Sequence, residues 1–232
     1  MSNEIIKINN LSFSWPNQST PTLEIGKLIV HDQQRLFIEG PSGSGKTSLL
    51  NLIGAVTTPN TGTIELLGQN LGVLKGAAID RFRADHIGFI FQQFNLVPYL
   101  TMVENVTLPC YFSKTRKSKA GNLNLEAIRL LSHLGLDDPD VQTKSVIELS
   151  VGQQQRVAAA RAVIGRPEIV IADEPTSALD ADARKVFIEL LFKECELSSS
   201  TLIFVSHDNS LKDLFDDSVH MSDINQLSST HR

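Results

Sequence analysis

Residues 40–47 read Gly-Pro-Ser-Gly-Ser-Gly-Lys-Thr and match the phosphate-loop pattern G-x-x-x-x-G-K-[ST] in full. An apolar run at Arg35–Glu39 predicts a strand before the loop, and Lys46–Val56 predicts a helix after it. In this context glycines let successive backbone N–H groups turn inward around phosphates, and the helix start adds partial positive charge. The residues predicted to hold phosphates are Gly40, Ser42, Gly43, Ser44, Gly45, Lys46, Thr47 and Ser48. A glycine-rich turn with an incidental lysine is the alternative, and it does not explain the strand–loop–helix order.

In a phosphate loop of this kind the last two residues contact the phosphates and Mg²⁺, and a carboxylate from another strand is needed to complete the Mg²⁺ site. Lys46 is expected to reach the β- and γ-phosphates, and the Thr47 hydroxyl to bind Mg²⁺. A second apolar run, Glu168–Ala172, ends on Asp173 and Glu174. The carboxyl end of a strand is where open α/β sheets place groups that handle ligands. We therefore expect Asp173 to hold Mg²⁺, usually through water, and Glu174 to polarise an attacking water. An acidic turn without a ligand is the alternative for this pair.

Composition narrows the class of protein. The 232 residues are 41% hydrophobic and 20% charged, which predicts a globular chain, and 21 basic against 26 acidic residues give a net charge of −5. That balance provides no electrostatic footprint for nucleic acid. No run of eighteen apolar residues predicts a membrane span, and the first residues do not resemble a signal peptide. Cys110 and Cys195 are isolated, as expected of thiols in a reducing compartment. We therefore expect a cytoplasmic protein.

The order of the predicted elements indicates an α/β core with a helical insertion. Short strands are expected at the beginning of the chain, and helices and loops dominate from about residue 92 to residue 153. Strand and helix patterns alternate again after that. The runs are strands at Ile5–Ile8, Leu11–Ser14, Leu23–Val30, Thr63–Leu67, His86–Phe91, Glu168–Ala172 and Thr201–Val205, and helices at Ala77–Asp85, Leu125–Leu134, Ser150–Gly165 and Ala183–Glu194.

A third motif, Leu149-Ser150-Val151-Gly152-Gln153, precedes the helix-like run at 154–164. It resembles the Leu-Ser-Gly-Gly-Gln signature of the ATP-binding cassette (ABC) ATPase family. The resemblance extends in order over nearly the whole chain, which is more specific than any single motif. The matching positions are the Walker A loop at 40–47, the Q-loop Gln92, the signature, the Walker B pair Asp173-Glu174, the D-loop Ser177–Asp180 and the switch His207.

This resemblance implies a P-loop NTPase core of the RecA-like kind, with an N-terminal antiparallel β portion and an inserted α-helical subdomain. We expect a single domain over residues 1–232. Its core spans about 1–92 and 154–222, its helical subdomain spans about 93–153, and a polar tail covers 223–232. The implied cofactors are ATP and Mg²⁺, with Thr47, Gln92 and Asp173 toward the metal and Glu174, His207 and Gln92 as catalytic residues. Trp15 would stack on adenine, and Asp180 would couple two sites. Ser150, Gly152 and Gln153 would contact the nucleotide of the other subunit in a homodimer formed on ATP binding.

The signature motif and Trp15 each have an alternative interpretation. Val151 stands where the family most often has glycine, and valine is costly at positive φ. Ser150 and Gln153 also have the spacing of an ordinary capping box at a helix start. Trp15 is the only tryptophan, and a place in the core is its alternative role.

Two further segments bear on partners. Phe94–Leu100 is apolar for a loop, which is typical of a contact surface. The resemblance implies that it receives a cytoplasmic helix of a transmembrane permease subunit, placing the chain peripherally on the cytoplasmic face of the inner (plasma) membrane. Packing against the chain's own helices is the alternative. The basic run Lys114–Lys119 is typical of a solvated loop, and anionic lipid headgroups or a partner are the other interpretations.

Within the family, three short stretches of sequence resemble those of the lipoprotein-releasing and macrolide-export ATPase group. They are Ile87–Gln92, Leu100–Val106 and Ala172–Thr176. An ATPase of a solute importer would share all six motifs, although only 25 residues follow His207, too few for a regulatory domain. A non-transport ABC ATPase acting on DNA or ribosomes is the other alternative, and its usual coiled coil, zinc modules or second cassette are not seen.

Overall fold

The computed structural model describes residues 3–18, 20–138 and 144–229, which divide into two compact units. The first unit comprises residues up to 83 and from 201 onward, and the second comprises residues 84–200. The predicted boundaries of core, helical subdomain and tail remain predictions. No described helix is long and apolar enough to cross a membrane.

The first unit contains an antiparallel sheet and a parallel group of strands. The strands are β1 (Glu4–Phe13), β2 (Leu23–His31), β3 (Arg35–Glu39), β4 (Thr61–Leu66), β5 (Gln69–Asn70), β8 (Thr201–Ser206) and β9 (Asp217–His220). The antiparallel sheet has the order β2-β1-β4-β5, and in the parallel group β3 lies between β8 and β9. The helices are α1 (Lys46–Ile53), α9 (Met221–Ile224) and the 3₁₀ turns Leu71–Val73, Asn209–Leu214 and Gln226–Ser229. This arrangement confirms the antiparallel β portion predicted for the N-terminal strands.

The first two predicted strands form one strand, β1. Their separation was wrong because Asn10, at φ 47°, forms an irregularity where the register with β4 shifts, and the pairing continues on both sides. From Ile6 to Phe13 the apolar residues of β1 are buried, whereas the polar residues between them, among them Lys7 and Ser12, are partly exposed. In the parallel group, by contrast, β8 is buried along its whole length, as expected of a strand covered on both faces.

The second unit is mainly helical around the parallel pair β6 (Ile87–Ile90) and β7 (Ile169–Asp173). Helix α2 (Ala77–His86) leads into it from the first unit. The other helices are α3 (Met102–Thr107), α4 (Pro109–Phe112), α5 (Lys114–Ala120), α6 (Leu123–His133), the 3₁₀ turn Val146–Glu148, α7 (Val151–Val163) and α8 (Ala181–Ser198). Helix α7 is buried from Val157 to Val163, and small alanines let β6 approach closely: a Cβ on Gly88 would lie 2.1 Å from the Ala162 carbonyl oxygen.

The basic run does not form a solvated loop. It folds into α5, and the Arg116 side chain is fully buried, donating hydrogen bonds to the carbonyls of Ile87, Arg161, Ala162 and Ile164 at 2.7–3.3 Å. Burial lowers the pKa of Arg116 to about 10. The expectation of a solvated loop was wrong here, because the carboxyl end of α7 presents unpaired carbonyls that a cation satisfies. Lys119 similarly pairs with Glu168 at 2.7 Å.

Candidate nucleotide site

The loop at 40–45 leaves the carboxyl end of β3 and leads directly into α1, as the sequence predicts. Gly45 caps α1 with φ 96°, and a Cβ there would lie 2.5 Å from Leu23 Cδ2. Both facts require glycine, because a side chain is strained at this φ and has no space. Lys46 is buried, and its Nζ donates to the carbonyls of Gly40 at 2.6 Å and Pro41 at 3.0 Å. The ammonium group is therefore held at the start of the loop.

Ser44 provides a test of whether this loop fits a phosphate. Its Oγ is buried and has no hydrogen-bond partner among the residues that the structure describes. A buried hydroxyl without a partner costs about 1–3 kcal/mol, so the conformation favours an occupant that accepts or donates a hydrogen bond there. A phosphate oxygen, beside a buried lysine and a helix N-terminus, matches these groups. The loop therefore fits the nucleotide that the motif predicts.

Trp15 lies beside the same helix start. Its Nε1 donates to Ser48 Oγ at 3.1 Å, and Phe13 packs edge-on against the indole with ring centroids 5.1 Å apart. The side chain is 38% exposed, so Trp15 does not occupy the core position considered as its alternative. An indole fixed by one hydrogen bond and one ring contact can present a face to a flat ligand.

His207 follows β8 at the edge where the phosphate loop begins. Strands β3 and β8 are parallel, with Glu39 opposite Ser206, so Gly40 and His207 leave the same edge of this strand pair. The segment after His207 is tied to the strand before the loop, because Lys212 Nζ lies 3.0 Å from Glu39 Oε1.

In the second unit, the pair β6 and β7 brings three predicted residues to one edge. Ile90 lies opposite Ala172, so Gln92 and the carboxylates Asp173 and Glu174 follow the carboxyl ends of neighbouring strands. Asp173 is buried at the end of β7, and Glu174 has a left-handed φ of 47°. A non-glycine residue in this conformation is held by its surroundings, which is common at functional sites.

The signature residues begin α7. Ser150 is the N-cap, and the capping box is complete: Gln153 N–H donates to Ser150 Oγ at 3.3 Å, and Ser150 N–H donates to Gln153 Oε1 at 2.9 Å. Val151 is the first helical residue, so the backbone cost considered for valine at positive φ does not arise. Asp180 caps α8 through Ala183 N–H at 2.8 Å. The side chains of Ser150 and Asp180 thus each cap a helix in this structure.

The donor types for a metal ion are limited. Within 3–18, 20–138 and 144–229, His, Cys, Asp and Glu side chains form no group of three that could hold a metal ion. Magnesium in nucleotide sites takes one or two protein carboxylates and completes its shell with phosphates and water. Asp173 is one such carboxylate, and Thr47 and Gln92 add a hydroxyl and an amide oxygen, so the residue types fit an ion that arrives with a nucleotide.

Sequence reasoning missed the side chains that hold the loop after β6. Asn105, fully buried on α3, accepts from Val97 N–H at 2.8 Å and donates to the carbonyls of Val97, Leu100 and Thr101 at 3.1–3.3 Å. A capping box formed by Thr101 and Glu104 begins this helix. Asn105 gives no signal in the sequence, because its partners are backbone groups of a loop without regular structure.

Comparison with known proteins identifies close relatives. Residues 23–177 match the sequence model of a family described as "ABC transporter". The lipoprotein-releasing system ATP-binding protein LolD of Bacteroides fragilis is 37% identical over 188 residues, which cover 81% of this chain and 85% of that protein. The macrolide export ATP-binding/permease protein MacB 2 of Aeromonas hydrophila is 38% identical over 187 residues, but this chain spans only 27% of its length.

Solved structures agree with these relatives. The ATP-binding cassette MJ0796, solved as a dimer in a post-hydrolysis state with ADP and Pi, is 33% identical. It superposes with a TM-score of 0.83 over 95% of this chain and 94% of that one. The predicted fold class is therefore confirmed, and so is the resemblance to the ATP-binding cassette family.

Proposed function

Because the chain belongs to the ABC transporter family, in which it is an ATP-hydrolysing subunit of the LolD and MacB type, we propose that it drives a separate transmembrane permease. The loop at 40–47 carries this proposal, with its buried Lys46, its unpartnered Ser44 hydroxyl and its place between β3 and α1. The names of the relatives favour lipoprotein release or export over solute import. The chain then lies on the cytoplasmic face of the membrane, held there by its permease.

Each predicted residue has a role in this proposal. The loop N–H groups, Ser44 and Lys46 bind the phosphates, and Trp15 stacks on adenine. Thr47, Gln92 and Asp173 hold Mg²⁺, which when bound neutralises phosphate charge. Glu174 accepts a proton from the attacking water, and His207 orients the γ-phosphate. A general base and preorganised charges account for hydrolysis without a covalent intermediate.

The second copy of the chain completes the site. We propose that Ser150, Gly152 and Gln153, at the N-terminus of α7, face the γ-phosphate bound to the other subunit, and that Asp180 couples the two sites. Support comes from the helix start itself, which favours anions, and from the dimeric state of the solved MJ0796 cassette. A head-to-tail pair with two-fold symmetry then holds two nucleotides.

The permease would dock on the loop 94–100. Tyr99 is 82% exposed, and its backbone neighbours are fixed from below by Asn105, so an aromatic side chain projects from a rigid loop. Exposed aromatic residues on a rigid support are typical contact anchors. Phe94 is only 8% exposed and belongs to the chain's own core, as the alternative interpretation of this segment expects.

Turnover of the Glu174→Gln variant tests the catalytic role. The amide cannot accept the proton, so we expect the hydrolysis rate to fall at least about 100-fold while binding of a fluorescent ATP is retained. Glu189→Gln, an exposed carboxylate on α8, is the matched control and should keep the wild-type rate. A Glu174→Gln variant with half of the wild-type activity would contradict the role assigned to Glu174.

A further inference from the structure

The loop after β6 contains two consecutive non-glycine residues in the left-handed conformation. Phe94 has φ 58° and Asn95 has φ 49°. A bulky residue such as Phe94 costs about 1 kcal/mol or more in this conformation and persists where neighbouring groups hold it, whereas asparagine tolerates the conformation at a smaller cost. Asn95 is exposed and Phe94 is buried, so packing of the Asn95 side chain does not provide that hold.

One arginine holds the backbone of Phe94 and Asn95 in this conformation. Arg161, on α7, donates from Nη2 to the Phe94 carbonyl at 2.5 Å and from Nη1 to the Asn95 carbonyl at 2.7 Å. The residue is 9% exposed, and burial lowers the pKa of its guanidinium to about 10. A planar fork that binds two successive carbonyls fixes the direction of both peptide groups at once. The same helix starts at Ser150, three turns earlier.

The other end of the loop is joined to the segment that leads into Ser150. Ser145 Oγ donates to the Pro98 carbonyl at 2.5 Å, and Val146 N–H donates to the Leu100 carbonyl at 3.2 Å. Loop 94–100 is therefore hydrogen-bonded to the chain on both sides of the α7 N-cap. Tyr99 lies between Pro98 and Leu100, and its side chain is the largest exposed one of the loop.

We propose that Arg161 is a positioning residue that fixes loop 94–100 to α7, so that Tyr99 and Ser150 move as one body. A partner that displaces Tyr99 then displaces the helix start by the same motion. The meaning of this link for transport rests on the proposed function, in which Tyr99 meets the permease and Ser150 meets a nucleotide. The link itself is a property of the second unit alone.

Paired spin labels test the link directly. Tyr99→Cys and Val151→Cys introduce thiols at two exposed positions, whereas the native Cys110 and Cys195 are 1% and 2% exposed and escape labelling. Pulsed electron resonance on the chain without nucleotide then gives the distribution of distances between the labels. With Arg161 present we expect a narrow distribution, and with Arg161→Met one that is roughly twofold broader, since the carbonyls of Phe94 and Asn95 lose their donors and the loop stays attached only near Tyr99.

Two further variants keep the test decisive. Arg156→Met removes an arginine of the same helix whose Nη1 donates to the Gly135 carbonyl, outside loop 94–100, at 3.4 Å, and it should leave the distribution narrow. If Arg161→Met fails to fold, Arg161→Lys keeps the charge but lacks the fork, and it should broaden the distribution in a chain with normal thermal unfolding. A width unchanged in a folded Arg161 variant overturns the proposal. Because no nucleotide is present, a chain that failed to bind ATP would overturn the proposed function and leave this comparison intact.

Discussion

Two loops that leave the carboxyl ends of parallel strands have opposite construction. Loop 40–45 takes its positive φ angles from glycines, and the Ser44 hydroxyl within it has no partner among the described residues. Loop 94–100 takes its positive φ angles from Phe94 and Asn95, and buried side chains occupy its carbonyls. The first loop is shaped by its own residues and leaves polar groups for a ligand. The second is shaped by distant residues and leaves an aromatic side chain for a partner.

Gly45→Ala should have the largest effect, because it breaks the loop that depends on its own sequence. The new Cβ would lie 2.5 Å from Leu23 Cδ2 at φ 96°, so the loop must shift and the phosphate contacts are lost. We expect ATP affinity, measured with a fluorescent analogue, to fall at least about 100-fold, the scale of two or more lost charge-assisted hydrogen bonds. Gly76→Ala has a positive φ with open space around it and should bind ATP normally. Retained affinity in Gly45→Ala would mean that the loop does not bind the phosphates.

The inner and outer sides of the second loop should respond differently. Asn105→Ala removes four hydrogen bonds to backbone groups of residues 97–101 and leaves the buried amide contact of Val97 N–H unmade, so we expect a loss of about 2–4 kcal/mol in the free energy of unfolding. Tyr99→Asp changes an exposed side chain and should alter stability by less than about 0.5 kcal/mol. Chemical denaturation measures both. If Tyr99→Asp destabilised the isolated chain like Asn105→Ala, Tyr99 would belong to the core and the docking surface would be wrong.

The smallest effect on stability is expected when a glycine, the residue with positive φ in loop 40–45, replaces Asn95 in loop 94–100. Asn95→Gly removes the cost of a side chain at φ 49°, but it also increases the entropy of the unfolded chain, and asparagine tolerates this conformation well. The free energy of unfolding should therefore change by less than about 0.5 kcal/mol. A gain larger than about 1 kcal/mol would show that the side-chain hydrogen bonds hold Asn95 against appreciable strain.

The same contrast explains how far the sequence predicts the fold. Locally encoded features were predicted correctly: β3, the phosphate loop and α1 in order, the strand ending at Asp173, and the capping box at Ser150. Arg116 and Arg161 could not be found this way, because their partners are carbonyls 29–67 residues away whose positions depend on the finished fold. The α5 helix was missed for the same reason. Its sequence is polar and basic, and the burial of Arg116 at the end of α7 is a tertiary contact.

Light scattering of the Glu174→Gln variant with ATP tests the central claim most directly, namely that the loop at 40–47 of one copy and the α7 start of another share a nucleotide. Ser150 and Gly152 then contact phosphate only across a dimer, and the variant accumulates in that state because hydrolysis is blocked. We predict that saturating ATP doubles the mass of the particle at micromolar protein, and that adding Lys46→Met abolishes the change. A particle that keeps the mass of one chain at saturating ATP, while still binding it, would contradict the shared site.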